Sequence, residues 1–268
     1  MIGKRILVCG KGGSGKSSIV ALLANALSAM GYQIMVLDGD ASNPGGLARL
    51  LFGLQKGPKP LIEFFGGREK VECPVDNPAP LTRLGDRISI AENNLDLSEI
   101  PAEYFLEKEG TLLFQVGKIE RSCEGCDGPM SKVTRDFILR GDRVTLIDVE
   151  AGIEHFGRGV EKNVDAVLVV IDPTYESILI AEKVHNFSLE MGKQCVWALL
   201  NKVQSEEMHS LMREELNKKG VRIIGTLHFD PELINAGLMG RPLVQHMASE
   251  DVRLIAAELE KNVSAKIS

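Results

Sequence analysis

The chemically most informative stretch of the sequence is a run of glycines that ends in a lysine and a serine. Gly10 is followed by four residues and then by Gly15-Lys16-Ser17, between an apolar segment and a helical one. Glycines let successive backbone N–H groups turn towards phosphate oxygens, and the helix that follows adds partial positive charge. In this pattern the lysine reaches the β- and γ-phosphates and the serine hydroxyl binds Mg²⁺. The predicted nucleotide-binding residues are Gly10, Lys11, Gly12, Gly13, Ser14, Gly15, Lys16, Ser17 and Ser18.

Carboxylates follow two further apolar segments. Asp38 and Asp40 close the segment that starts at Ile34, and Asp148 closes the one that starts at Val144. Ligands of open α/β sheets bind at the carboxyl ends of the strands, and carboxylate oxygens suit Mg²⁺. A single aspartate there is often only a helix cap, but three in this order after a phosphate loop indicate an active site. We predict that Asp148 acts on Mg²⁺.

A pair of cysteines, Cys123 and Cys126, precedes a segment that predicts a helix from near Pro129. Two thiolates separated by two residues favour zinc, copper(I), nickel or an iron-sulfur centre over hard cations. One pair supplies only two ligands, but in a two-fold dimer the loop would meet its copy and complete a four-thiolate site. A redox-active pair and two packed thiols are the alternatives.

The elements that must position these residues alternate along the chain. Apolar segments predict strands at 5–9, 34–37, 144–147, 167–171, 195–200 and 222–227, and helical patterns run from 16 to about 30 and from about 250 to 262. Strands that are apolar on both faces and alternate with helices predict a doubly wound, mostly parallel α/β sheet covered on both faces. Residues 53–117 contain six prolines and predict an irregular insertion, in which 88–91 and 112–116 are candidate strands.

Composition and charge limit the classes of molecule that the protein is expected to bind. The chain has 31 Lys+Arg against 37 Asp+Glu, a net charge of −6, which disfavours binding to nucleic acid through phosphate neutralisation. The longest apolar run, 166–171, is far shorter than the roughly 18 residues that a membrane span needs. Five cysteines form a sparse, odd set of reduced thiols. We expect a cytoplasmic protein without a signal peptide that binds neither nucleic acid nor membrane.

A second lysine inside the loop, Lys11, makes the sequence resemble the deviant Walker A (SIMIBI) P-loop ATPases, among them MinD/ParA ATPases, the nitrogenase iron protein and metal-centre maturation ATPases. The resemblance implies that Lys11 reaches the nucleotide of a partner subunit in an ATP-dependent homodimer. It also implies that Asp38 joins the magnesium shell, that Asp40 positions the attacking water, and that Asn201 with Lys202 contacts the adenine. The implied catalytic residues are Lys11, Lys16 and Asp40.

Three segments, 117–119, 124–126 and 148–159, narrow the resemblance to the CooC-type ATPases that help insert nickel into carbon monoxide dehydrogenase. The similarity runs over nearly the whole chain. It implies a Mg²⁺-dependent ATPase that cycles between ATP and ADP, with residues 1–268 as one P-loop domain, a cysteine-pair segment at 118–130 and a client metalloenzyme.

The cysteine pair departs from that family's Cys-x-Cys pattern. Aligning the first cysteine of the pattern on Cys126 puts Gly128 at the second position, while Cys123 lies upstream. Nickel, zinc and a 4Fe-4S cluster therefore all stay open as the bound metal centre.

Two other functions stay open within the same fold. A MinD/ParA-like positioning ATPase would attach to membrane or DNA, but the final helix has apolar residues at core-like spacing rather than a basic amphipathic face. An iron-sulfur electron donor resembling the nitrogenase iron protein would draw its cysteines from separated segments, such as Cys73 and Cys126. Residues 148–159 are predicted to form a second switch, a loop that responds to the nucleotide. His155 in this loop either responds to nucleotide or forms a local hydrogen bond.

Overall fold

The computed structural model describes residues 1–43, 46–82, 90, 94–244 and 248–264. Its strands are β1 (Arg5–Gly10), β2 (Ile34–Asp38), β3 (Phe105–Lys108), β4 (Thr111–Gln115), β5 (Val144–Asp148), β6 (Ala166–Ile171), β7 (Val196–Val203) and β8 (Ile223–His228). Its helices are α1 (Lys16–Ala29), α2 (Gly46–Phe52), α3 (Leu61–Phe64), α4 (Gly128–Asp136), α5 (Glu154–Gly157), α6 (Tyr175–Glu190), α7 (Glu206–Lys218), α8 (Pro231–Met239) and α9 (Ser249–Ser264).

The strands form one sheet in the order β3-β4-β2-β5-β1-β6-β7-β8. Every neighbouring pair is parallel except β3 with β4, which is antiparallel. The predicted doubly wound, mostly parallel fold is therefore confirmed. Because β1 lies between β5 and β6, the loop after β1 opens at the middle of the sheet edge, where ligands bind in such folds.

The central strands are buried on both faces, which explains their continuous apolar sequences. Alternate residues of β1 enter opposite layers: Leu7 lies in one hydrophobic cluster, and Ile6 and Val8 lie in the other. The final helix α9 adds Val252 and Leu259 to the second cluster, so the predicted core-like spacing does mark a packed face.

Part of the predicted insertion belongs to the central sheet. Strand β4, which includes most of the candidate strand 112–116, pairs in parallel with β2. Strand β3 was not predicted, because two of its four residues are exposed and it lacks a continuous apolar run. Of the other candidate strand, 88–91, only Ile90 lies within the described residues, and it stands in a turn.

Candidate nucleotide site and cysteine segment

The loop after β1 has a backbone that only glycine fits at two positions. Gly10 has φ +140°, and a Cβ atom there would lie 2.5 Å from the carbonyl oxygen of Val170. Gly15 has φ +100°, and its Cβ would lie 2.4 Å from Nδ2 of Asn201. Both conformations are disfavoured for residues with a side chain. The glycines that suggested a phosphate-binding loop are thus required by its close contacts with β6 and β7.

The two lysines of this loop, residues 10–17, lie in different surroundings. Lys16 is buried, and its Nζ lies 3.3 Å from the carbonyl oxygen of Lys11. The Nζ of Lys11 donates to Oγ1 of Thr174 at 3.0 Å and lies 3.9 Å from a carboxylate oxygen of Asp172. Lys11 therefore contacts residues of its own chain. Its contact with a partner's nucleotide stays a prediction.

Two of the predicted magnesium carboxylates lie side by side. Asp38 and Asp148 are register partners at the ends of β2 and β5, and the Ser17 hydroxyl donates to Oδ2 of Asp148 at 2.6 Å. The other oxygen of Asp148 is buried and accepts no hydrogen bond from any described residue. Burial, followed by the negative charge of Asp38, raises the pKa of Asp148 to about 7. A hard cation with oxygen ligands fits this donor set, since it would balance the buried negative charge.

Lys118 connects these carboxylates to the cysteine segment (118–130). Its Nζ donates to Oδ1 of Asp38 at 2.8 Å and to the carbonyl oxygen of Asp40 at 2.5 Å. The side chains of Lys118 and Asp38 are only 7% and 3% exposed. The carboxylate of Asp40 accepts hydrogen bonds from the backbone and hydroxyl of Ser42. We did not predict a role for Lys118, although the sequence motif 117–119 contributed to the family resemblance.

Asn201 and Lys202 close over the phosphate loop from the end of β7. Asn201 donates from Nδ2 to the carbonyl oxygen of Ser14 at 2.7 Å, and Lys202 donates from Nζ to that of Gly13 at 2.6 Å. Beside them lies a cavity of about 430 Å³ that reaches from Lys16 and Ser17 past Asn201 to an apolar wall. The wall consists of Leu227, Phe229, Leu233 and Ile234. We did not predict that these four residues line the site, because β8, the loop after it and α8 carry no nucleotide motif of their own.

The second switch, residues 148–159, contacts both the phosphate loop and the cysteine segment. Gly152 donates from its backbone N–H to the carbonyl oxygen of Gly10 at 3.2 Å. Arg158 forms a salt bridge with Asp127 and donates to the Ser131 hydroxyl at 3.3 Å. Burial, together with the charge and hydrogen bond of Asp127, raises the pKa of the nearby Glu150 to about 7. Switch and cysteine segment therefore share one cluster of charges.

His155 lies beneath this switch and does not line the nucleotide cavity. Its Nε2 is 3.3 Å from a carboxylate oxygen of Glu161, and both side chains are buried. Burial lowers the pKa of His155 to about 3 and raises that of Glu161 to about 7. His155 thus lies beside a local carboxylate, but its Nε2 makes no hydrogen bond to any described residue, so neither of the two predicted roles is shown.

The cysteines divide by exposure. Cys9 and Cys195 are buried, Cys73 is partly buried, and Cys123 and Cys126 are exposed. Cys123 has φ +62°, a left-handed conformation that is uncommon for a residue with a side chain. Among the residues that the structure describes, no group of three or more His, Cys, Asp or Glu side chains is arranged to hold a metal ion. One chain thus presents two exposed thiols rather than a complete metal centre.

Over the described ranges, no helix combines the length and apolar character needed to cross a membrane.

Comparison with known proteins agrees with this geometry. Residues 6–243 match the family described as the CobQ/CobB/MinD/ParA nucleotide binding domain. The chain is 38% identical over 243 residues to an uncharacterized ATP-binding protein of Methanocaldococcus jannaschii, which covers 89% of this chain and 93% of that protein. It is 28% identical over 276 residues to the carbon monoxide dehydrogenase accessory protein CooC of Rhodospirillum rubrum, with 96% and 97% covered.

Solved structures share the fold at lower sequence identity. The septum site-determining protein MinD of Pyrococcus horikoshii, complexed with Mg-ADP, matches with a TM-score of 0.66 at 16% identity and covers 98% of each chain.

Proposed function

Since this chain belongs to the CobQ/CobB/MinD/ParA nucleotide-binding family, we propose that it is a Mg²⁺-dependent ATPase whose ATP-dependent homodimer helps to assemble the metal centre of a client metalloenzyme. The client would be a metalloenzyme that receives nickel, such as carbon monoxide dehydrogenase. The proposal draws on the CooC protein that aligns over 96% of this chain. It places the protein in the cytoplasm, where exposed thiols stay reduced.

In the proposed ATPase, Lys16 and Lys11 stabilise phosphate charge, and Asp40 positions the attacking water. Asn201 and Lys202 bind the nucleotide beside the apolar wall of the cavity. Ser17, Asp38 and Asp148 would hold Mg²⁺, and their close approach supports that assignment, as does the buried oxygen of Asp148 that accepts no hydrogen bond from any described residue. When bound, Mg²⁺ supplies positive charge that offsets the negative charge of the phosphates.

One observation carries the proposal: the cysteine segment is bonded at both ends to groups of the nucleotide site. Lys118, at its start, is bonded to Asp38, a proposed magnesium ligand. Asp127, directly after Cys126, is bonded to Arg158 of the second switch. A rearrangement of either nucleotide-site group therefore alters a bond that holds the thiols. Such coupling suits a switch that is biased by nucleotide and acts on the cysteine loop.

The exposed pair Cys123 and Cys126 supplies half of a thiolate site. In a two-fold dimer the partner's loop would bring two more thiolates, which is the ligand number of closed zinc or iron-sulfur sites. Nickel is the proposed cargo, zinc would be an alternative cargo, and a 4Fe-4S cluster at these thiols would instead indicate electron transfer.

No observation favours a membrane-positioning ATPase. That function needs an accessible amphipathic helix, whereas Val252, Ile255 and Leu259 of α9 pack in the core.

The test is anaerobic metal analysis of the full-length protein in its ATP and ADP states, with size measured in parallel. We expect the ATP state to be a dimer with one metal centre per two chains that needs both Cys123 and Cys126. The variant Cys123→Ser/Cys126→Ser should dimerise without that metal, and Ser122→Ala in the same loop should retain it. An ATP-dependent dimer that binds no metal at these thiols would contradict the proposal, and iron with sulfide would redirect it to electron transfer.

A further inference from the structure

The sulfur atoms of Cys73 and Cys126 lie close together at the start of helix α4, although the residues come from separate segments. A Cβ atom on Gly128, the first residue of α4, would lie 2.6 Å from Sγ of Cys73 and 3.3 Å from Sγ of Cys126. Both sulfurs therefore lie within 3.3 Å of a single point. Two thiolates on one tetrahedral metal ion, with metal–sulfur bonds of about 2.3 Å, lie roughly 3.8 Å apart. Small side-chain rotations would bring this pair to that distance.

The backbone on each side of the pair is held in place by basic side chains. Arg68, on the segment that leads to Cys73, donates from Nη1 to the carbonyl oxygens of Glu124 and Cys126 at 3.1 and 3.2 Å. Lys132 of α4 donates to the carbonyl oxygen of Asn77 at 3.0 Å. Asn77 in turn donates from its backbone N–H to the carbonyl oxygen of Cys73 at 2.9 Å. The closeness of the two thiols therefore results from a connected set of contacts.

The pair is open to an ion from solvent on one side, since Cys73 is half-buried and Cys126 is exposed. Cys126 stands just before the N-terminal end of α4, and Lys132 of the same helix lies near Cys73. Buried thiols such as Cys9 lack this access to solvent.

We propose that Cys73 and Cys126 form a binding site for a thiophilic divalent metal ion within a single chain, before the dimer closes. Each thiol releases its proton to solvent when the ion binds. Two protein ligands leave the remaining coordination positions to solvent or to an acceptor, which suits a site that passes its ion on. This inference rests on the proposed function. It adds that Cys126 is shared: it pairs with Cys73 in the open chain and with Cys123 and the partner's loop after closure.

Cys73 also accounts for the missing second cysteine of the family pattern. Its sulfur lies where a side chain at position 128 would begin. The thiol absent from position 128 is thus supplied from another segment of the same chain.

The test measures Zn²⁺ binding to the reduced, full-length protein in the ADP state, by competition with a chromophoric chelator. Wild-type protein and Cys123→Ser should each bind one Zn²⁺ per chain. Cys73→Ser and Cys126→Ser should bind at least about 100-fold more weakly, since each loses one of two thiolates. Unchanged affinity in Cys73→Ser, or tight binding that is lost in Cys123→Ser, would overturn the inference.

Gly128→Ala gives a second test that keeps every thiol. Gly128 is helical and has no positive φ, so alanine strains no backbone there and only its methyl group separates the sulfurs. We expect Zn²⁺ affinity to fall at least about tenfold while the thermal transition of the metal-free protein stays cooperative. Wild-type affinity in Gly128→Ala would contradict the site.

The two proposals fail differently. A metal held only by the ATP-bound dimer, lost in Cys123→Ser and kept in Cys73→Ser, would remove the single-chain site and leave the proposed function intact. A single-chain site in a protein that forms no ATP-dependent dimer would contradict the proposed function and leave the single-chain site intact. Formation of a Cys73–Cys126 disulfide in air, with no Zn²⁺ binding after reduction, would also overturn the metal site.

Discussion

The nucleotide edge of the sheet and the cysteine segment are built by different means, although they lie side by side. At the nucleotide edge, glycines with positive φ and the register of β2 with β5 place the phosphate loop and the carboxylates. In the cysteine segment, side chains such as Arg68, Lys118 and Arg158 hold a short exposed loop. The first construction is set by backbone geometry. The second depends on a few charged contacts, so it can respond to a change of ligand at the first.

The largest effect is expected at the nucleotide edge. Lys16→Ala removes the buried ammonium that is proposed to stabilise charge on the transferring phosphate, and ATP hydrolysis should fall by about 10³-fold or more. Phosphate release under saturating ATP measures it, and Lys183→Ala on an exposed face of α6 is the matched control. Hydrolysis at the wild-type rate in Lys16→Ala would refute the assignment of the site.

The connection between the two regions is tested by Lys118→Met. Because Lys118 and Asp38 are both buried, losing the ammonium leaves an unpaired buried carboxylate and should lower the free energy of unfolding by about 4 kcal/mol. Urea denaturation without nucleotide measures this loss. Excess Mg-ADP should shrink it, since a bound cation again balances Asp38.

A matched exposed pair provides the control for Lys118. Lys59 and Glu103 are 43% and 59% exposed, so water screens their attraction and Lys59→Met should leave the free energy of unfolding close to that of wild type. If Lys118→Met were as mild as Lys59→Met, the bond to Asp38 would not join the two regions.

The difference between the regions also explains what could be predicted from the sequence. The central strands are buried on both faces, so their apolar runs were visible, and β1, β2, β5 and β6 lie within a residue of the predicted bounds. The phosphate loop needs glycines at fixed spacing for its backbone, so its positions could be read directly. Both signals are local in sequence and reflect backbone chemistry.

Contacts between distant segments carried no such signal. Lys118 pairs with Asp38 across 80 positions, and no spacing rule connects a lone lysine to a strand-end carboxylate. The sequence offered Cys73 with Cys126 only as one alternative, because the contacts of Arg68 and Lys132 that bring the two segments together have no sequence pattern. Strand β3 is a partly exposed antiparallel edge, for which the buried-strand pattern does not apply.

A smaller, pH-dependent effect is expected from the buried pair beneath the second switch. The pKa of Glu161 rises from 4.5 to about 7 on folding, so the folded state holds this proton more tightly than the unfolded state. Stability is therefore lost as pH rises from about 4.5 to 7, by on the order of 3 kcal/mol. Glu161→Gln removes the titrating group and should be more stable than wild type at pH 7.5, with a much smaller gain at pH 5.

Urea unfolding at both pH values measures the effect of Glu161→Gln. Glu207→Gln, on an exposed turn of α7, should show the same difference from wild type at each pH. A difference between Glu161→Gln and wild type that does not grow with pH would show that Glu161 is ionised to the same extent in the folded and unfolded chains.

The smallest effect should come from the contact between the second switch and the cysteine segment. The side chains of Arg158 and Asp127 are 20% and 15% exposed, so part of their attraction is screened by water. Arg158→Met should therefore reduce the coupling free energy between the bound nucleotide and the exposure of Cys126 by about 1 kcal/mol, or roughly fivefold. It should not unfold the protein. The measurement is the alkylation rate of Cys126 in ATP and ADP, resolved by peptide mass spectrometry.

Wild-type protein should show an ATP-to-ADP ratio of Cys126 alkylation rates that Arg158→Met brings closer to one. Arg143→Met, which removes a partly exposed pair with Glu107 away from the switch, should keep the wild-type ratio. If Arg158→Met kept it as well, the bond between Arg158 and Asp127 would not carry the nucleotide signal to the thiols. The contact of Glu150 with Asp127 and the bond of Lys118 to Asp38 would then be the remaining connections.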